Sequence, residues 1–308
     1  VVFYSVISAY YFLIKPIGGD ETLFVSDLEL IKNKGWIEAI KKSISIPYML
    51  LCYPFSLFLK NYIALRFVNI LLLFAFFVYL IKNDAKRNIS FYGFLLFFIS
   101  TVGYYYFGTN DSLFFIGLII FINEVYKLQL DKKWNSGLAF IGLITAVFTR
   151  ELIVIYSPLI IFCFYIIYEE GAWNKVKFKY PLIILMLLLL FNLPSLMNNG
   201  KISYDLKSPP FNINATWSQR QYLAQLTVNA GELKNLQHPS WDETVKYLDE
   251  HGDNALPRGV IDGLFLDIKL TAKEFFKDFI HCLFYGFRQL GLMLFIPVYF
   301  LFKDLLQN

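Results

Sequence analysis

Hydrophobic residues fall along the chain in runs of helical length, separated by shorter polar stretches. The runs cover 1–14, 62–81, 91–107, 113–126, 137–148, 152–168, 181–197 and 280–302, and most are too long and too free of charge for ordinary core helices or strands. They predict an all-α chain, a polytopic bundle of about eight transmembrane helices. The first run would reach about 21 Å at roughly 1.5 Å per residue, which is short for a crossing. Because the chain also opens Val1-Val2 without Met, a clipped N-terminus is expected. The opening has neither the basic leading region nor the small-residue cleavage site of a signal peptide. A further apolar stretch, 46–59 (IPYMLLCYPFSLFL), contains Pro47 and Pro54, and whether it crosses decides the sidedness of everything after it.

Basic loops arbitrate, since short loops rich in Lys and Arg stay cytoplasmic. If 46–59 does not cross, Lys82, Lys86 and Arg87, then Lys127, Lys132 and Lys133, then Lys175, Lys177 and Lys179, and finally Lys303 collect on one side. The short loops opposite hold only Arg150. A crossing at 46–59 would turn all the basic loops outward, so the stretch reads as a juxtamembrane helix on the outer surface. Two long polar regions then face away from the cytoplasm, 15–61 and 198–279. In the first, Leu23, Leu28 and Ile31, then Trp36, Ile37 and Ile40, have the spacing of short amphipathic helices at the interface. In the second, helices are predicted at 218–226 and 241–250, after Pro209-Pro210, and the region reads as a folded external lid. The organisation is a seven-helix core over 1–197, a large extracytoplasmic loop over 198–279, and a last helix with its tail over 280–308.

Composition sharpens this. A hydrophobic content of 57%, an aromatic content of 19% and a mean hydropathy of +0.51 exclude a purely soluble enzyme. The net charge of +4 is dispersed, with no Lys/Arg block to follow a phosphate backbone, so nucleic acid is not an expected partner. Cys52, Cys163 and Cys282 fall in apolar segments and form no disulfide framework or C-x-x-C pair. The abundance of Lys, Asn, Ile, Phe and Tyr suggests an AT-rich bacterial genome, hence a bacterial inner or plasma membrane.

Candidate chemistry gathers on the outer side. Gly18-Gly19-Asp20-Glu21 follows the first helix and puts two carboxylates at the membrane surface, where a lipid-linked substrate presents its head group. A carboxylate screened by apolar neighbours has a raised pKa and can take a proton from an attacking hydroxyl. Equally, Asp20 or Glu21 can cap the helix starting near Thr22. Thr109-Asn110-Asp111 brings a second acid to the same face, and Asp111 also suits an ordinary N-cap. Together Asp20 and Asp111 could hold a divalent cation, Mg or Mn, bridging to phosphate. Arg150, in Thr149-Arg150-Glu151, could grip a lipid phosphate through two parallel hydrogen bonds, or pair with Glu151. In the large loop Arg220, His238, His251 and Arg258 could meet phosphate or donate a proton, and so could Arg288 in the last helix. Glu124 is expected to snorkel, and Tyr104, Tyr105 and Tyr106 to form an outer aromatic belt.

In order and spacing these residues resemble the GT-C superfamily of membrane glycosyltransferases, the polyprenyl-phosphate-sugar-dependent group that includes protein O-mannosyltransferases and the lipid A aminoarabinose transferase. The acidic pair after the first helix is matched by Asp20-Glu21, and the glycine some 14 residues on by Gly35. Pro47-Tyr48, or less fully Tyr53-Pro54, matches a P-x-Y segment, Arg66-Phe67-Val68-Asn69 an R-x-x-N, Thr109-Asn110-Asp111 a T-x-D, and Thr149-Arg150 a T-K/R turn. The His-Pro-Pro of many members stands here as Ser45-Ile46-Pro47, and the family's lysine as Arg150. The resemblance implies a single inverting displacement from a polyprenyl-phosphate sugar to a lipid, glycan or protein acceptor outside the cytoplasm. It makes Asp20 the base, gives Glu21 or Asp111 the acceptor or a metal to orient, and assigns the departing phosphate to Arg150. An O-antigen-type polymerase or ligase, relying on arginines, is the alternative enzyme. A transporter would be expected to carry mid-membrane polar groups, which the runs lack apart from Arg288.

Overall fold

A computed structural model describes residues 2–83, 106–205, 213–234 and 237–290. The described residues are all-helical, with no strand among them. The chain divides into two compact units, Val1–Leu206 and Lys207–Asn308. The first contains α1 (Val2–Ile14), α2 (Glu21–Lys41), α3 (Ile46–Ser56), α4 (Asn61–Asn83), α5 (Asp111–Asp131), α6 (Ser136–Thr149), a 3₁₀ turn Glu151–Tyr156 that runs into α7 (Ser157–Glu169), a short 3₁₀ turn Ala172–Lys175, and α8 (Lys179–Asn199).

Four segments among the described residues are long and apolar enough to cross a bilayer: Asn61–Lys82, Asp111–Asp131, Glu151–Glu169 and Lys179–Asn199. They coincide with four of the apolar runs and mark the chain as a membrane protein. α6 is apolar but shorter, and α1 has 13 residues. Of the run 91–107, only its last two residues are described.

The loops sort into two ends. At one end Tyr79 Oη donates to Glu124 at 2.6 Å, Lys132 Nζ donates to Glu170 at 2.6 Å, and the Lys177 N–H donates to Ser136 Oγ at 3.0 Å. The last turns of α4 and the loops after α5 and α7 therefore share one end of the unit. Glu124 does not snorkel. It is fully buried and also accepts from Lys127 Nζ and the Asn135 N–H, so local donors satisfy its charge in place of water. At the other end lie the turns after α1 and α6, the turn before α5, and the return of the chain after α8.

The first polar loop is folded into the protein. α2 bends at Gly35, whose φ of +83° favours glycine. α2 buries Phe24, Leu28, Ile31 and Ile40 against Ile46, Tyr48, Met49 and Cys52 of α3. α3, expected to lie on the outer surface, is instead packed among α2, α4, α6 and α8. Tyr106 is buried and stacked on Phe12 at 5.4 Å, so it belongs to no belt. Tyr104 and Tyr105 lie outside the described residues.

α5 and α6 form the most extensive helix pair, and they approach through Gly117 and Gly142. A Cβ on either glycine would stand 2.6 Å from the carbonyl oxygen of the other. Between apolar helices in lipid, close backbone approach of this kind supplies the packing that hydrophobicity cannot.

The second unit contains α9 (Trp217–Asn229), α10 (Trp241–His251), α11 (Val260–Leu266) and α12 (Ile268–Leu290). α9 and α10 both open with capping boxes, Thr216 with Gln219 and Ser240 with Glu243. They close on a small core of Ala215, Leu223, Leu248 and Leu256.

Gly117→Val or Gly142→Val should therefore lower stability by about 1–3 kcal/mol by forcing α5 and α6 apart. Gly137→Ala, where the nearest atom would be 3.6 Å away, should be nearly neutral. Thermal unfolding of the three variants in detergent makes the comparison.

Candidate functional site

Arg66 lies in the second turn of α4 and is completely buried. Its Nε and Nη2 donate to Glu21 Oε1 and Oε2 at 2.6 and 2.5 Å, a two-pronged ion pair. Nη1 turns the other way and donates to the carbonyls of Phe12, Leu13 and Lys15 at 2.8, 3.1 and 2.5 Å. The guanidinium thus satisfies the last carbonyls of α1, where the helix dipole favours a cation.

Glu21 Oε1 also accepts from the Gly108 N–H at 2.9 Å. A Cβ at Gly108 would meet that oxygen at 2.6 Å and Leu65 Cβ at 2.7 Å, so only glycine fits there. One turn beyond Arg66, Asn69 Nδ2 donates to the Phe107 carbonyl and, at 3.0 Å, to that of Thr109. Asn110 Nδ2 then donates to the Thr149 carbonyl at 3.0 Å, which Ser45 Oγ also reaches at 3.0 Å. Asp111 pairs with Arg150. Segments far apart in sequence are tied into one continuous polar seam.

Asp20 and Glu21 have opposite environments. Glu21 is 1% exposed with both oxygens engaged, so its carboxylate is committed to Arg66 and the Gly108 N–H. Asp20 is exposed at the N-cap position of α2, with no side-chain capping bond. Asp111 is the first residue of α5, one position past the N-cap residue Asn110. Its partner Arg150 is not held by Glu151 and keeps about a third of its side chain exposed (34%) against 10% for Asp111.

Two residues of this end escaped the sequence reading. Asp27 has a buried Oδ2 without a hydrogen-bond partner. Burial, with the charge of Asp205 added, pushes its carboxyl up from 3.8 to about 8. The available signal was positional: Asp27 lies at i+3 from Phe24 and i−4 from Ile31, on the buried stripe of α2. Asp205 arrives by the return after α8. There Ser203 Oγ donates to the Ile44 carbonyl at 2.7 Å and accepts the Ile44 N–H at 2.9 Å, and Tyr204 Oη donates to the Val147 carbonyl at 2.9 Å. Burial and the neighbouring Glu151 raise the Tyr204 phenol.

In the second unit Arg220 lies over the rings of Trp217 and Trp241, at 5.2 and 4.9 Å, and its Nε donates to the Pro239 carbonyl at 2.7 Å. Its guanidinium is thus held by a cation–π sandwich and a backbone carbonyl. His238 meets the Trp217 ring at 6.0 Å, and His251 stacks on Tyr247 at 4.1 Å. Arg258 is 3.7 Å from Asp253, with both side chains exposed, and Arg288 is exposed on α12. Among the described residues no three of His, Cys, Asp and Glu converge as a metal site. No family model, curated protein or solved structure matches the chain.

Arg66→Ala leaves Glu21 buried without its counter-ion and should cost about 3–5 kcal/mol of stability in thermal unfolding. Arg66→Lys should recover only part of this, because an ammonium cannot span both carboxylate oxygens.

Asp27 makes a prediction of distinct form. The folded chain holds a proton there that the unfolded chain releases above about 3.8, so stability is complete below that pH and falls as pH rises towards about 8. Asp27→Asn should be more stable than the parent at about pH 8, with the gain fading near pH 4. An equal gain at both pH values would contradict the raised carboxyl.

Proposed function

We propose that this protein is a membrane glycosyltransferase of the GT-C kind, moving a sugar from a polyprenyl-phosphate donor to a lipid, glycan or protein acceptor. The transfer takes place on the extracytoplasmic face of a bacterial inner or plasma membrane. The observation that carries the reading is the seam itself: Glu21 with Arg66, Asn69 with the Thr109 carbonyl, Asn110 with the Thr149 carbonyl, and Asp111 with Arg150. The residues that support the resemblance are bonded to one another, and an exposed acid and a part-exposed guanidinium stand at the same end. The reading takes the seven apolar runs before Asn198 as crossings, with the basic loops inside.

In this mechanism the acceptor oxygen attacks the anomeric carbon as Asp20 removes the hydroxyl proton. The anomeric carbon–oxygen bond to phosphate breaks, and its electron pair leaves on the prenyl phosphate. Arg150, held by Asp111, offers its exposed edge to the phosphate as that charge develops. Glu21 and Arg66 act by holding the turn that carries Asp20, so that base and phosphate clamp are placed before substrate arrives. A divalent cation shared by Asp20 and Asp111 does not fit the donor set, because the Asp111 carboxylate is paired with Arg150.

The test incubates the purified protein with radiolabelled polyprenyl-phosphate sugars of several kinds and follows loss of label from the lipid. One donor should be consumed. Asp20→Asn, an isosteric change at an exposed position, should lower that rate at least about 10²-fold while the protein still folds, as thermal unfolding would show. Undiminished turnover in Asp20→Asn would remove the base assignment.

A further inference from the structure

α12 meets α9 of its own unit through Glu274 near its start, and the rest of its polar face is exposed. Glu274 Oε2 accepts from Gln225 Nε2 of α9 at 3.0 Å, and Asp278, His281 and Arg288 share that face at helical spacing. The opposite face carries Phe275, Phe276, Phe279, Ile280, Leu283 and Phe287, which are 47–65% exposed. At about 100° per residue these six fall within one arc of roughly 140°. Just before it, α11 exposes Leu264, Phe265 and Leu266.

A helix of a water-soluble domain docks by its apolar stripe, which α12 leaves uncovered. The border of the arc indicates what covers it. Lys273 and Lys277, both exposed, border one edge with the exposed Phe284 between them, and the exposed Lys269 stands before the arc begins, in line with Phe287; Lys277 also reaches Glu274 at 3.3 Å. Lysine stems lie on apolar surface while their ammonium groups rise to the phosphates of a bilayer. The chain's four crossing-length helices bring a bilayer to the protein. A crossing that began at Ile280 would carry His281 and Arg288, on the polar face, into hydrocarbon.

We propose that α12 lies in the plane of the membrane surface, its aromatic arc sunk among the acyl chains of an anionic leaflet and Lys269, Lys273 and Lys277 on the head groups. It is an interfacial helix and not the first half of an eighth crossing. The proposal stands apart from the sugar-transfer reading and survives its failure.

The full chain, with Cys282 replaced by Ser, is reconstituted in nanodiscs of phosphatidylcholine with or without phosphatidylglycerol. Nitroxides are attached to single cysteines at 276, 279, 283 and 287 on the arc, and at 278, 281 and 288 opposite. Spin relaxation by oxygen and by a water-soluble nickel chelate reads depth. The arc labels should favour oxygen at one common depth, and the opposite labels should favour nickel. Lys269→Gln, Lys273→Gln and Lys277→Gln combined, or omission of phosphatidylglycerol, should shift the arc labels towards the aqueous phase. Depth increasing steadily from 276 to 287 would mean a crossing and overturn the proposal. Arc labels shielded from both reagents would mean a protein cover, and arc labels open to nickel a water-facing helix; each overturns it too. Indifference to both lysines and anionic lipid would overturn the head-group assignment.

Discussion

A buried guanidinium is tolerated only when nearly every one of its donors is matched, and Arg66 meets that condition by drawing separate parts of the chain to itself. Its fork fixes Glu21 at the start of α2, and its remaining edge collects the carbonyls that end α1. The second demand on Glu21, from the Gly108 N–H, brings in the turn before α5. Removing water from these charges is costly, so the arrangement holds together as a whole or not at all. This is why α1, the bend into α2, α4 and the 107–109 turn have one mutual geometry.

That constraint divides the acidic pair into two roles. Glu21 is committed to the interior, and its neighbour Asp20 is left at the surface on a backbone that cannot drift. The same logic continues along the seam, where the Thr149 carbonyl accepts from both Ser45 and Asn110 and Asp111 holds Arg150. Groups placed this way are oriented before any ligand binds, the condition under which electrostatic stabilisation is most effective. Asp27 lies on the other side of the balance. It is a carboxyl kept neutral by its surroundings, next to a charged neighbour that the chain brings back after α8.

The two units use apolar surface differently. In the first, the long helices keep aliphatic side chains such as Val154, Ile155 and Leu190 exposed and pack against each other through small residues. In the second, α9 and α10 enclose a small conventional core, while α12 leaves its aromatics uncovered and meets α9 through Glu274.

What was legible in the sequence is what depends on neighbours along the chain. Apolar runs of crossing length, the helix starts near Ser218 and Trp241, and the separate helical spacings on either side of Gly35 all follow from local composition, because hydrocarbon thickness, capping bonds and side-chain periodicity act over a few residues. The loops after α5 and α7 could also be read as sharing one end, since alternating helices carry loops to alternate sides. The fates of individual charges could not. Glu124 was expected at the surface and is buried, Glu21 was expected to meet substrate and is locked to a residue 45 positions away, and Asp27 was not singled out. Whether a polar group is buried or free is set by the donors and acceptors that distant segments bring to it, so only the tertiary packing could decide which acid holds the fold and which stays exposed.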